Sequence, residues 1–95
     1  MNKICYEDRK KVYESAIEKY GKDLQIIVAI EEMSELQKEL CKYIRGEANL
    51  DPIAEETADT TIMLEQLRMI FHCNTKVCKF MDRKVKRLAK RLEEE

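Results

Sequence analysis

Residues 24–40 read LQIIVAIEEMSELQKEL, and apolar side chains recur in this stretch at helical spacing. The apolar positions are Leu24, Ile27, Val28, Met33, Leu36 and Leu40. Steps of three and four residues predict an amphipathic α-helix. Asp23 is its predicted N-cap, and we expect the helix to run to about Arg45, where Gly46 stops it.

The segment before this helix has the same period. Tyr6, Tyr13 and Tyr20 recur every seven residues, which predicts a helix from about Tyr6 to Tyr20. Gly21 is expected to end that helix in a left-handed cap.

The second half of the chain predicts two more helices. Asp51 and Pro52 are typical of an N-cap followed by the first helical residue, and this third helix should end near residues 72–74. Thr75 is the predicted N-cap of a fourth helix, in which basic residues crowd the polar face.

The composition agrees with a helical protein. Charged residues make up 39% and hydrophobic residues 44% of the chain, with two Gly and one Pro. No segment has a strand pattern, and 95 residues suffice for one domain, residues 1–95. We therefore predict an all-α fold, a four-helix bundle-like domain whose small core is completed by oligomerisation.

Charge and cysteine content bear on partners and location. The 18 basic and 19 acidic residues nearly cancel, so net charge predicts neither a nucleic-acid nor a membrane partner. Residues 1–10 lack the apolar core of a signal peptide, and no apolar run approaches the ~18 residues of a membrane span. The four cysteines lack Cys-x-x-Cys spacing and should be reduced. A cytoplasmic location is expected.

Two acidic clusters, EEMSE at 31–35 and EETAD at 55–59, lie inside the second and third predicted helices. Residues three apart on a helix share a face, so Glu32 pairs with Glu35, and Glu56 with Asp59. Such a set of hard oxygen donors suits magnesium, with manganese as an alternative.

The helical period also predicts that these carboxylates lie on the covered faces of their helices. Glu32 falls between Val28 and Leu36 on the apolar stripe, and Asp59 precedes Met63 on the buried ridge of the third helix. Burying several ionised carboxylates together costs several kcal/mol each unless a cation compensates them. Other charged residues, such as Glu65, are assigned to solvated faces.

The two clusters resemble a known signature. Glu-Glu-x-x-Glu, a spacer of 20 residues and Glu-x-x-Asp are similar to the motifs of the MazG-like, all-α nucleoside triphosphate pyrophosphohydrolase superfamily. Similar stretches extend over roughly residues 13–92 and include AIEKYG at 16–21, AIEE at 29–32, KYIRG at 42–46 and IMLEQL at 62–67. The resemblance implies a MazG-type domain with Mg²⁺ bound at Glu32, Glu35, Glu56 and Asp59.

The resemblance also implies an activity, namely hydrolysis of a nucleoside triphosphate between the α and β phosphates to a monophosphate and pyrophosphate. Glu31 and Glu35 are the candidates to activate the attacking water. The candidates for binding phosphate oxygens are Lys42, Arg45, Lys84 and Arg87. Members of the superfamily often stack the base on Trp, and this chain has no Trp, so no base preference is predicted.

Alternatives stay open at this point. A dUTPase-like or phosphoribosyl-ATP pyrophosphohydrolase-like specificity would use the same metal centre. In a different class, a non-catalytic helical module could bind a nucleotide or protein and keep metal only for stability. The resemblance and the short chain together predict a homodimer or homotetramer.

Overall fold

Residues 4–95 are described by a computed structural model, and within that range the chain forms helices and no strand. The four helices are α1, Tyr6–Tyr20; α2, Lys22–Ile44; α3, Leu50–Ile70; and α4, Asn74–Glu94. The prediction of an all-α, four-helix bundle-like fold is confirmed. No helix among these residues is both long enough and apolar enough to cross a bilayer.

Gly21 both ends α1 and begins α2. Its N–H donates to the Ile17 carbonyl, and its own carbonyl accepts from the Gln25 N–H. Its φ of 90° is positive, as expected, but its ψ of 152° is extended and not left-handed helical. Because α2 begins at Lys22, the prediction of Asp23 as N-cap is wrong. Asp23 instead lies in the first turn, where its negative charge interacts favourably with the positive end of the helix dipole.

The loop between α2 and α3 ends earlier than predicted. The N-cap of α3 is Asn49, so the assignment of Asp51 as N-cap and Pro52 as first helical residue is wrong. The side chain of Asn49 does not cap the helix: its Nδ2 donates to the Glu39 carbonyl at 2.9 Å, and its Oδ1 is buried without a partner among the described residues. Pro52 becomes the third helical residue, where its missing N–H still removes no helical hydrogen bond.

The turn between α3 and α4 also differs from the prediction. Helix α3 ends at Ile70, short of residues 72–74, and α4 begins at Asn74 with Cys73 as its N-cap, so the prediction of Thr75 is wrong. His72 has a φ of 49°, a left-handed conformation that no helix can continue through. The Cys73 N–H then donates back to the Arg68 carbonyl and closes the turn.

Helices α2 and α3 pack side by side as an antiparallel pair. Three hydrogen bonds show the register: Gln25 donates to Gln66 at 2.7 Å, Thr60 donates to the Glu32 carbonyl at 3.3 Å, and Asn49 donates to the Glu39 carbonyl. As the residue number rises along α2, the partner's number falls along α3. This register sets which side chains of the two helices meet.

The core of the single chain is small. Helix α1 lies against both α2 and α3, and the buried apolar residues are Tyr13, Ala29 and Met63. No large side chain among the described residues is completely buried. The polar pair Gln25 and Gln66 is also buried, between α2 and α3.

Helix α4 is attached only at its beginning. Among the described residues it contacts α3 alone, and none of its residues is buried. Arg68 of α3 donates to Asn74 Oδ1 at 3.1 Å and to the Met81 sulfur at 3.4 Å. The fourth helix therefore does not close the bundle within one chain.

The buried Gln25–Gln66 pair supports a prediction about stability. Gln66→Leu should cost about 1–3 kcal/mol of unfolding free energy, because it leaves the Gln25 amide buried without its acceptor. Replacing both residues by Leu should restore most of that loss, since neither side then needs a partner. Urea unfolding of the two single variants and the double variant measures this coupling, and strictly additive losses would contradict it.

Candidate functional site

Three carboxylates meet where α2 and α3 face each other. Glu32 of α2 and Glu56 and Asp59 of α3 each place one oxygen within 4.8 Å of the others. The antiparallel register accounts for the meeting: Thr60 donates to the Glu32 carbonyl, so its neighbour Asp59 lies level with Glu32, and Glu56 lies about one turn away. We call these residues the carboxylate trio.

The trio is half-buried, and its environment is unfavourable for negative charge. Burial, followed by the charges of Asp59 and Glu56, raises the pKa of Glu32. Glu56 Oε2 is buried and has no hydrogen-bond partner among the described residues. The three carboxylates therefore repel one another in a place where water screens them only partly.

The donor atoms of the trio are of the kind that a divalent cation binds. Ligand oxygens lie about 2.0–2.1 Å from Mg²⁺, so two of them on opposite sides are about 4.2 Å apart. Three ligands cannot all lie opposite one another, and neighbouring ligands of an octahedral ion are about 2.9 Å apart. The oxygens of the trio, which lie within 4.8 Å of one another, would therefore have to move closer together to share one ion. The partnerless oxygen of Glu56 supplies a free ligand atom, and carboxylates are the donors that Mg²⁺ and Mn²⁺ prefer.

The other acidic residues of the first cluster lie outside the trio. Glu31 and Glu35 are both exposed on α2, and Glu35 does not join the group of converging oxygens. Three of the four carboxylates assigned to metal are thus brought together, and Glu35 lies about one helical turn from Glu32 along α2. Both exposed residues are accessible to water.

The basic residues assigned to phosphate lie away from the trio in a single chain. Lys42 pairs with Glu39 at 3.2 Å, and it lies ten residues, about 15 Å, further along α2 than Glu32. Arg45 is exposed at the end of α2. Lys84 and Arg87 are exposed on α4, which does not contact α2.

A second polar group lies between α1 and α3. Arg9 pairs with Glu65 at 3.7 Å, and the Tyr13 hydroxyl and Glu65 Oε2 are buried without a hydrogen-bond partner among the described residues. Burial chiefly, with Glu65 adding and Arg9 opposing, raises the pKa of Tyr13. The assignment of Glu65 to a solvated face is therefore wrong, because α1 covers part of it. The apolar period of α3 could not predict this burial, because it comes from a contact with another helix.

A cavity of about 870 Å³ opens beside this group, between α1, α3 and the beginning of α4. Tyr13, Glu65 and Arg68 line it, and no member of the carboxylate trio does. Its volume is in the range of small-molecule sites, but its lining mixes acids, bases and apolar side chains without a dominant charge. The cavity and the trio thus lie on different faces of α3.

No protein-family model matches this chain, and no curated protein or solved structure is significantly similar to it. The likeness to the MazG-like superfamily therefore rests on the motifs in the sequence, and it stays a prediction.

The raised pKa of Glu32 predicts how stability varies with pH in the absence of metal. Below the ordinary pKa of Glu both folded and unfolded chains hold the proton, whereas above it the unfolded chain releases the proton first. Stability therefore falls as the pH rises from the ordinary pKa of Glu to the raised pKa of Glu32 in the folded chain, and above that pKa the loss is complete. Glu32→Gln should raise the melting temperature at pH 7 in EDTA, and the gain should vanish near pH 4 and below.

Circular dichroism melts between pH 3 and pH 8 measure this effect. Glu31→Gln is the matched control, since it removes the same charge from an exposed neighbour on α2. A Glu32→Gln variant no more stable than this control at neutral pH would show that the trio does not strain the fold.

Proposed function

We propose that this protein is a Mg²⁺-dependent nucleoside triphosphate pyrophosphohydrolase that releases a nucleoside monophosphate and pyrophosphate. One observation carries the proposal: three half-buried carboxylates converge between two helices, and one of their oxygens has no partner. The two acidic motifs, whose order and spacing resemble the MazG-like signature, support the choice of substrate and reaction.

Each acidic residue has a role in this proposal. Glu32, Glu56 and Asp59 hold the ion, with Glu35 at the edge as a further ligand. When bound, Mg²⁺ neutralises phosphate charge and activates water for attack. Glu31 and Glu35 are exposed beside the trio and are free to accept the proton of the attacking water.

Cationic side chains would bind the phosphate oxygens that face away from the carboxylates. Lys42 and Arg45 could serve if the triphosphate lay along α2 towards its carboxyl end. Lys84 and Arg87 lie on a helix that does not touch α2 of its own chain, so their participation requires a second copy. We propose that the enzyme works as a homodimer or homotetramer in the cytoplasm.

The rival proposal is a non-catalytic helical module, and the exposed apolar residues on every helix are the observation that favours it. Such a module would bind a protein or nucleotide without turning it over. If the protein is an enzyme, residues outside the trio determine its substrate specificity. dUTP and phosphoribosyl-ATP are among the possible substrates. A panel of triphosphates separates these possibilities.

Loss of one carboxylate of the trio should abolish turnover. The purified chain is incubated with Mg²⁺ and each triphosphate, and monophosphate, diphosphate, pyrophosphate and orthophosphate are separated. Glu56→Gln and Asp59→Asn should each lower the rate at least about 100-fold, because several kcal/mol of charge stabilisation depend on the ion.

Glu55→Gln is the matched control, since Glu55 is exposed next to Glu56 on α3 and lies outside the trio. It should keep most of the activity. Diphosphate with orthophosphate as products would contradict cleavage between the α and β phosphates. The absence of metal-dependent turnover with every triphosphate would support the binding module.

A further inference from the structure

The cavity between α1, α3 and the beginning of α4 is formed by one face of each of the first two helices. The lining side chains of α1 recur at steps of three and four residues, and so do most of those of α3. On α3 they are Thr61, Leu64, Glu65 and Arg68. At 100° per residue this face of α3 is centred about 160° around the helix from Glu56 and Asp59. The cavity is therefore separate from the carboxylate trio, and its volume of about 870 Å³ suits a small molecule.

Two polar atoms at this cavity lack partners. Tyr13 and Glu65 both line the cavity, and Tyr13 is only 6% exposed. The Tyr13 hydroxyl and Glu65 Oε2 are buried without a hydrogen-bond partner among the described residues, and Arg9 approaches only the other carboxylate oxygen, at 3.7 Å. Buried polar atoms are normally paired, because an unpaired one costs stability. Two such atoms at one cavity indicate a partner from outside the chain.

The chemistry of the two atoms defines the group that would pair with them. An ionised carboxylate only accepts hydrogen bonds, so Glu65 Oε2 needs a donor. Burial raises the pKa of Tyr13, so its hydroxyl keeps the proton at neutral pH and can donate to an acceptor. The side chain of Glu65 is 27% exposed, so its carboxyl group has room to rotate towards the cavity. The complementary group carries an N–H beside a carbonyl oxygen, as an amide does.

The charges around the cavity balance. Three acidic and three basic residues line it, together with His72. The acidic residues are Glu14, Glu18 and Glu65, and the basic residues are Lys10, Lys22 and Arg68. A highly charged ligand such as a triphosphate would need an excess of the opposite charge, which this lining does not offer. The balance favours a ligand without net charge.

The remaining lining favours an apolar body for that ligand. Ile17, Leu64, Met69 and Ile70 contribute apolar surface to the cavity. We propose that this cavity binds an uncharged small molecule with an apolar body and an amide-type edge, whose N–H donates to Glu65 Oε2 and whose carbonyl accepts from the Tyr13 hydroxyl. The proposal rests on the cavity, its two partnerless atoms and its charge balance, and it does not depend on the proposed enzymatic activity.

NMR titration of the ¹⁵N-labelled full chain tests the site with two probes of similar shape. Benzamide carries the required N–H and carbonyl, whereas benzoate has no donor and bears a negative charge that Glu65 repels. Benzamide should bind saturably, with a Kd on the order of 1 mM for so small a molecule, and should shift the amide signals of Tyr13, Leu64 and Glu65. Benzoate should bind at least about tenfold more weakly.

Three outcomes of the titration would overturn the proposal. They are equal binding of the two probes, shifts confined to the carboxylate trio, and no saturable binding of benzamide, as would follow if another copy of the chain fills the cavity.

Tyr13→Phe separates a ligand contact from a structural one. It removes a hydroxyl that has no partner in the free chain, so it should raise the melting temperature by about 4 °C or more. It should nevertheless weaken benzamide binding about 3- to 10-fold, because one hydrogen bond to the probe is lost. Tyr6→Phe is the matched control, since Tyr6 lines the same cavity but is 56% exposed, and it should change neither value.

Either of two results with Tyr13→Phe would contradict the site. A lower melting temperature would show that the hydroxyl is already bonded within the protein. Unchanged affinity for benzamide would show that the ligand does not use it.

Discussion

The antiparallel contact between α2 and α3 is the constraint on which the rest of the structure depends. Hydrogen bonds from Gln25, Thr60 and Asn49 fix its register at three levels along the helices. A shift of either helix by one turn would break all three bonds and move Asp59 about 5 Å away from Glu32. The carboxylate trio therefore exists because the polar contacts around it hold one register.

The trio itself works against the contact that forms it. Burial and neighbouring negative charge raise the pKa of Glu32, and Glu56 contributes an oxygen without a partner. Sequences generally avoid such local conflicts, and where a conflict persists it commonly belongs to a functional site. A divalent cation would turn the repulsion into shared coordination, so one ion would serve both the stability of α2–α3 and the proposed chemistry.

The helices were predictable from the sequence because apolar periodicity reflects which face of a helix is covered. The N-caps were not predictable from the sequence. The Asn49 side chain donates to the Glu39 carbonyl across the loop instead of capping α3, and Gly21 both ends α1 and begins α2. Spacing and the apolar stripe identified Glu32, Glu56 and Asp59. The position of Glu35 outside their group depends on the rotation of α2 against α3, which periodicity within one helix does not contain. For the same reason, the partial burial of Glu65 could not be predicted from the sequence.

The proposed homo-oligomer bears on the proposed site through the basic residues of α4. Lys84 and Arg87 lie exposed on α4, which does not contact α2 in one chain, so a role for them at the substrate phosphates requires a second copy. All of these roles presuppose that the trio binds a divalent ion. Isothermal titration of Mn²⁺ into the metal-free protein tests this directly. Saturable binding that Asp59→Asn abolishes and Glu55→Gln preserves is the predicted result, whereas no binding, or equal binding by both variants, would contradict it.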